Sequence, residues 1–478
     1  MSNIKPQPKL SNQTKVLLNN IITHRTMKYK NTSSNTPNNT SNNSNTSRTH
    51  KHKHKKKYNT HNNNHNHNNT HNNTNTNTYV NKLIKTYRDY NVIGDKYLAE
   101  AHHKMHLFPP QKRIIVIGDI HGDLKVAIKC LILAKCIKYI EPPTHKDIDV
   151  MDAFYNTLEW IGGETYVVQL GDQIDRVRTQ SLDKNNISQD IPYEDEGSTL
   201  EIFYLFLHLD NLAKQQGGRV LSLLGNHEIM NINGDFSYVS REEFTAFQKH
   251  LGHLYTHNNS RKSKKNYSHN TQSRKNISNL PYGYYERLGA FKPTGLCANL
   301  LGYNYYTMLQ IGNWLFCHGS PTLFTTSNYS IDLINNVVSM YLLGIDSKGK
   351  HIQHHYDEIT NSRSDDNQTD KSVLWDRTFG DGINKDITLC AKLDIILDEY
   401  NKTNNIKDDS LKAKYVAVGH TPQTDGQGIN AICNNRVWRC DIAMSRAFAH
   451  TNKKWNENNI QILEILNNIP KVLKLNVF

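Results

Sequence analysis

The first 80 residues contain no aspartate or glutamate, although they hold 12 lysines and arginines. They are also poor in apolar side chains. Stretches such as NTSSNTPNNTSNNSNTSRTHKHKHKKK consist of little but Asn, Thr, Ser, His and Lys. Burial of so little apolar surface does not offset the entropy of ordering a chain, so residues 1–80 are expected to be a disordered tail. A second acid-free stretch, residues 257–279, adds 6 basic residues. The net charge of +13 therefore resides in these two segments, and the remainder of the chain is five charges negative. Electrostatic contact with nucleic acid is thus expected only through the basic tail or insert, and a solvated tail explains HKHKHKKK (50–57) more simply.

Cysteine is scarce and unpatterned. The 7 cysteines form no CxxC pair. This fits a reducing compartment better than a disulfide scaffold, and it excludes a closed cysteine-rich zinc site. No run of 18 apolar residues exists, so no membrane-spanning helix is expected. MSNIKPQPKL lacks the apolar centre of a signal peptide, and Ser2 stands where myristoylation requires glycine. These absences give the expectation of an intracellular protein, cytoplasmic or nuclear, with no membrane partner.

The chain does contain repeated strand–helix alternation. After a helical lead-in (81–110), apolar strands are expected at RIIVIGD (113–119), TYVVQLGD (165–172), RVLSLLGNHE (219–228), NWLFCHG (313–319), KYVAVGH (414–420) and NIQILEIL (459–466). Helices are expected at 124–137 and 199–218. The alternation predicts an α/β layered domain over residues 111–470. Five of the strands end in glycine beside Asp, Asn or His. In such folds ligands lie beyond the carboxyl ends of the strands, so the five clusters are expected to converge on one edge.

The clusters are GDIHGD (118–123), GDQIDR (171–176), GNHE (225–228), CHG (317–319) and GHTP (419–422). Together they offer Asp119, His121, Asp172, Asn226, His318 and His420, a donor set suited to two divalent metals. One Asp or His at a strand end is usually a turn residue or cap. Six in ordered clusters are not explained that way. GIDSKGKH (344–351) has the spacing of a phosphate loop, but His351 stands where Ser or Thr belongs, and a helix rather than a strand is expected before it.

In this order the motifs resemble the calcineurin-like metallophosphoesterases. Within them the chain is similar to the phosphoprotein phosphatases, and most of all to the Shewanella-like branch, through WIGGETYVVQLGDQIDR, ERLGAFKPTG, LWDRTFG and CDIAMSRAF. The resemblance implies the form of the α/β domain, a layered β-sandwich flanked by helices. It also implies that Asp119 and His121 hold a first metal, Asp172 bridges, and Asn226, His318 and His420 complete a second. The metals would be Mn, Fe or Zn, with a bridging hydroxide as the nucleophile. It further implies that His227, paired with Asp175, is the general acid, with its pKa raised by that carboxylate. Glu228 is expected to support the turn. Arg176 and Arg377 would grip phosphoryl oxygens, a task suited to planar guanidinium groups. Val177 and Ser320 replace two glycines usual in the family, which puts the local backbone path in question. The implied activity is that of a protein phosphatase acting on a phosphoprotein or phosphopeptide at Ser/Thr or Tyr. The alternatives are a nucleotide hydrolase similar to the symmetrical diadenosine tetraphosphate hydrolases, or a non-enzymatic scaffold with a partner-binding tail.

Overall fold

A computed structural model describes residues 78–92, 105–138, 148–178, 181–255, 280–345, 350–360, 372–382, 387–424, 426–452, 454–456 and 458–475. The expected disorder of the tail and of the 257–279 insert falls outside these residues, apart from the tail's last three positions. Thr78 immediately precedes a helix at Tyr79–Val92, but the lead-in expected to be helical over 81–110 is not helical throughout: its other described part, 105–110, carries a short strand at Leu107–Phe108.

The strands are β1 (Leu107–Phe108), β2 (Arg113–Ile117), β3 (Tyr166–Gln169), β4 (Arg219–Leu223), β5 (Tyr305–Tyr306), β6 (Met308–Ile311), β7 (Trp314–Cys317), β8 (Tyr415–Val418), β9 (Asn430–Ile432), β10 (Val437–Arg439), β11 (Gln461–Leu466) and β12 (Ile469–Lys474). They form two six-stranded sheets, ordered β1-β6-β7-β8-β10-β9 and β12-β11-β2-β3-β4-β5. β2, β3 and β4 are parallel, with Ile115 opposite Val167 and Val167 opposite Val220. β7 and β8 are parallel in the other sheet, with Phe316 opposite Ala417. Parallel strands covered on both faces need continuous apolar runs. Ile114–Ile117, Leu315–Cys317 and Val416–Val418 are accordingly buried. Between the sheets, Trp314 Nε1 of β7 donates to Asn468 Oδ1 in the β11–β12 turn.

The crossover helices follow local sequence signals. Asp123 caps the helix Leu124–Leu133 by accepting from Val126 N at 3.2 Å. The helix Thr199–Lys214 buries every side chain from Thr199 to Phe206. Its Glu201 carboxylate accepts from Tyr79 Oη at 2.9 Å, which docks the lead-in helix onto the domain. The expected helix before the rejected phosphate loop is present at Ile331–Leu342.

Two features differ from the sequence expectation. The apolar run at 219–228 is not one strand: β4 ends at Leu223, and Asn226–Ile232 is a helix. Glu228, in the first turn of that helix, accepts from Gly225 N at 2.7 Å and so caps it from within. Local polar chemistry thus overrides the apolar periodicity. The second difference is a disulfide, Cys390–Cys433, which ties the helix Ile387–Thr403 to the turn after β9. The two cysteines are 43 residues apart and lie in no motif, so their spacing gave no signal. The other five are buried thiols.

Candidate active site

The five clusters meet, but from two sheets rather than from one edge. Residues 118–123, 171–176 and 225–228 leave β2, β3 and β4, while 317–319 and 419–422 leave β7 and β8. Several turns adopt backbone conformations that are costly for residues with side chains. His121 (φ 41°), Asp172 (φ 49°), Asp175 (φ 70°) and His420 (φ 64°) all lie in the left-handed region. Such conformations persist only where the surroundings over-determine them, and they cluster at functional sites.

Buried carboxylates hold these turns. Glu228 accepts from Asp172 N (3.0 Å) and Gln173 N (2.9 Å) in addition to Gly225 N. Burial first, and then the neighbouring Asp172, push its carboxyl up to about 7. Glu243 accepts from Asp175 N, Arg176 N, Ser240 N and Thr199 Oγ1. Close packing of the turns also requires glycine. A Cβ at Gly225 would fall 2.1 Å from Asp172 Oδ1, and one at Gly419 would fall 2.3 Å from Asp119 Oδ1.

Asp172 is central. Its Oδ1 accepts from His227 N at 3.0 Å. Its Oδ2 lies 3.9 Å from His121 Nε2, 3.8 Å from His227 Nε2 and 3.4 Å from His318 Nε2. Burial alone would raise its pKa, but His318 and His227 outweigh burial and hold it well below the usual carboxylate range. Two groups of convergent donor atoms result, His121–Asp172–His227 and Asp172–His318–His420. Asn226 joins the second, with Oδ1 2.9 Å from His318 Nε2. The histidines are oriented from behind: His318 Nδ1 faces Leu170 O at 2.8 Å, and His420 Nε2 faces Trp375 O at 2.9 Å. Each bond fixes which nitrogen points into the site, as is usual for metal-binding imidazoles. Burial holds His121 and His420 towards the neutral form, the one that can ligate.

The remaining groups fit cations. Asp119 is 1% exposed, and among the described residues its Oδ1 has no hydrogen-bond partner; neither has Oδ2 of Asp441, also 1% exposed. Asp119 Oδ2 accepts from His420 N at 3.0 Å. Burial, and then repulsion from Asp441 and Asp172, raise the Asp119 carboxyl well above its usual value. Buried carboxylates crowded together with open lone pairs are unfavourable unless positive charge is placed between them. Asp119, His121, Asp172, Asn226, His318 and His420 therefore suit a dinuclear divalent centre.

Among the other expected residues, His227 Nδ1 lies 2.8 Å from Asp175 Oδ2. Asp175 is itself held by Asn231 Nδ2 (2.9 and 3.0 Å) and by Arg287 Nη2 (3.2 Å). Arg287 is fully buried, with its guanidinium 4.8 Å from the Phe247 ring centre and 5.0 Å from that of Phe291. Its role was hidden because 112 residues separate it from Asp175, although it lies within the quoted ERLGAFKPTG. Arg377 is exposed beside the site and donates to His420 O at 3.0 Å. Arg176 is placed differently. It is fully buried, paired with Asp123 at 3.0 Å, and donates to Tyr193 O and Glu194 O. Val177 takes part in the backbone by donating to Tyr238 O, and Ser320 Oγ accepts from Phe379 N. Both replacements for the usual glycines are thus accommodated inside.

These strand-end turns and this donor set define a phosphoesterase. The chain belongs to the calcineurin-like phosphoesterase family, which matches residues 112–424, and it is a phosphoric monoester hydrolase. It is 27% identical over 384 residues to Shewanella-like protein phosphatase 2 of Arabidopsis thaliana, covering 77% of this chain and 82% of that protein. It is 29% identical over 340 residues to Shewanella-like protein phosphatase 1 of Plasmodium berghei, covering 70% and 67%. Among solved structures, the cold-active protein-tyrosine phosphatase of a psychrophilic Shewanella aligns over 78% of this chain and 84% of its own, at 18% identity and a TM-score of 0.47. The resemblance to the Shewanella-like phosphatases seen in the motifs is borne out by the Arabidopsis and Plasmodium relatives.

Proposed function

We propose that this hydrolase is a metal-dependent protein phosphatase that removes phosphate from Ser/Thr or Tyr residues by direct attack of water. The observation that carries the mechanism is the His227–Asp175 pair, with His227 Nε2 turned toward Asp172 at 3.8 Å. Two divalent ions held by the donor set would lower the pKa of a bound water and neutralise charge on the phosphoryl oxygens. The protein's own groups do the rest. Asp172 faces both halves of the site and fixes their separation. Asp175, locked by Arg287 and Asn231, holds His227 so that Nδ1 faces the carboxylate and Nε2 faces the substrate side. From Nε2 a proton can pass to the departing oxygen, as general-acid catalysis requires. The names of the relatives from Arabidopsis and Plasmodium support phosphoprotein as the substrate class.

The test is a panel of phosphoserine, phosphothreonine and phosphotyrosine peptides beside dinucleoside polyphosphates, each assayed with Mn²⁺ and with chelator. Metal-dependent release of phosphate from peptides is expected. Preference for the dinucleotides would overturn the substrate assignment.

A further inference from the structure

The chemistry calls for a guanidinium at the phosphoryl oxygens, and the motif points to Arg176. In the fold both Nη groups of that side chain are engaged, while its buried Nε has no hydrogen-bond partner among the described residues. Arg176 is 0% exposed, its Nη1 pairs with Asp123, and its Nη2 donates to two main-chain carbonyls. Asp123 is also gripped by Arg446, so the arginine sits inside a closed ionic cluster.

Arg178, two residues on, is placed otherwise. Its guanidinium lies 4.9 Å from the Phe448 ring centre and 5.8 Å from that of Tyr238. Those rings line the site. Phe448 packs edge-on against His121, with ring centres 5.5 Å apart, and Tyr238 against His227 at 4.9 Å. His121 and His227 are themselves 5.1 Å apart. Phe448, His121, His227 and Tyr238 thus form a row, and Arg178 lies across its two outer members. Among the described residues its hydrogen bonds are to main-chain oxygens, Val177 O at 2.8 Å and Asp175 O at 3.4 Å. Among the described residues it forms no ion pair. Burial draws its pKa down while Asp172, Asp175 and Asp441 draw it up, which places the cation in the field of the site's carboxylates. It remains charged at neutral pH, as arginine does.

We propose that Arg178, rather than Arg176, is the guanidinium that binds phosphoryl oxygens, held by Phe448 and Tyr238 over the His121–His227 pair. This rests on the assignment of the site as a phosphomonoesterase centre. The aromatic clamp pre-orders a flexible side chain without neutralising its charge, and the two bonds to Val177 O and Asp175 O use only part of the guanidinium's five N–H donors. Arg176 serves instead to brace the turn.

The experiment compares Arg178→Met, Arg178→Lys and wild-type full-length protein loaded with Mn²⁺. Inorganic phosphate is titrated by calorimetry and as a competitive inhibitor of phosphopeptide hydrolysis. Arg178→Met should weaken phosphate binding by ~10–100-fold, the range for a hydrogen bond to a charged group, and lower kcat/KM in step. Metal content and melting temperature should stay at wild-type values, and Arg178→Lys should recover part of the loss. Phosphate affinity within twofold of wild type in Arg178→Met would overturn the proposal. If the wild type failed to hydrolyse phosphopeptides, the substrate assignment would fall, while the phosphate titration would still decide the role of Arg178.

Discussion

The two halves of the site are held in place by different means. The half on β2, β3 and β4 depends on buried side chains brought from far along the chain. Glu243 holds Asp175 N across 68 residues, and Arg287 holds the Asp175 carboxylate across 112. The half on β7 and β8 depends on the main chain: Leu170 O orients His318, and Trp375 O orients His420. His227, the proposed proton donor, lies in the first half, and so do three of the four described histidine and aspartate positions with left-handed backbone. A ring held by a carbonyl tolerates changes in neighbouring side chains. A strained turn held by one carboxylate does not.

The comparison can be broken at its centre. Asp172 faces both halves, so Asp172→Ala should release bound metal and abolish phosphatase activity, measured by metal analysis and phosphate release. The next effect separates proton delivery from metal binding. His227→Ala should lower kcat by ~10²–10⁴-fold while metal content stays near wild type. The deficit should shrink on aryl phosphates with good leaving groups, because these need no acid. A metal-free His227→Ala protein would place His227 among the ligands instead.

Bracing residues should show smaller effects, confined to the first half. Arg287→Met removes one partner of the buried Asp175, leaving His227 and Asn231, and should destabilise the fold by up to about 3–5 kcal/mol, read by denaturant unfolding. Substitution of Thr421, beside His420, should do far less. The smallest effect is on acid stability. Burial would raise the Asp123 carboxyl, but Arg176 and Arg446 outweigh it and hold it well below the usual range. A depressed carboxylate contributes stability above its unfolded pKa of ~3.9, and loses it as pH falls through the lower folded value. The melting temperature of chelated wild-type protein should therefore fall as pH drops below about 4, and that slope should be flattened in Asp123→Asn.

The same division explains what the sequence revealed. Asp119, His121, Asp172, Asn226, His318 and His420 were legible because strand ends deliver them in ordered motifs next to glycine. The strands were legible because parallel strands buried on both faces must be apolar throughout. Arg287, Glu243 and Asn231 were not legible, since they act through contacts between distant segments. The helix at Asn226 was masked by the apolar run before it, and Glu228 was the signal that could have revealed it. Arg176 is where the motif puts it, and its pairing with buried Asp123 could be seen only in the fold.

The most direct test is to strip the metal from the full-length protein and return Mn²⁺ in measured steps, recording bound metal and phosphopeptide hydrolysis together. The expected result is no activity without metal, with turnover rising to its maximum as binding approaches two ions per chain. Full activity in the metal-free protein would contradict the account.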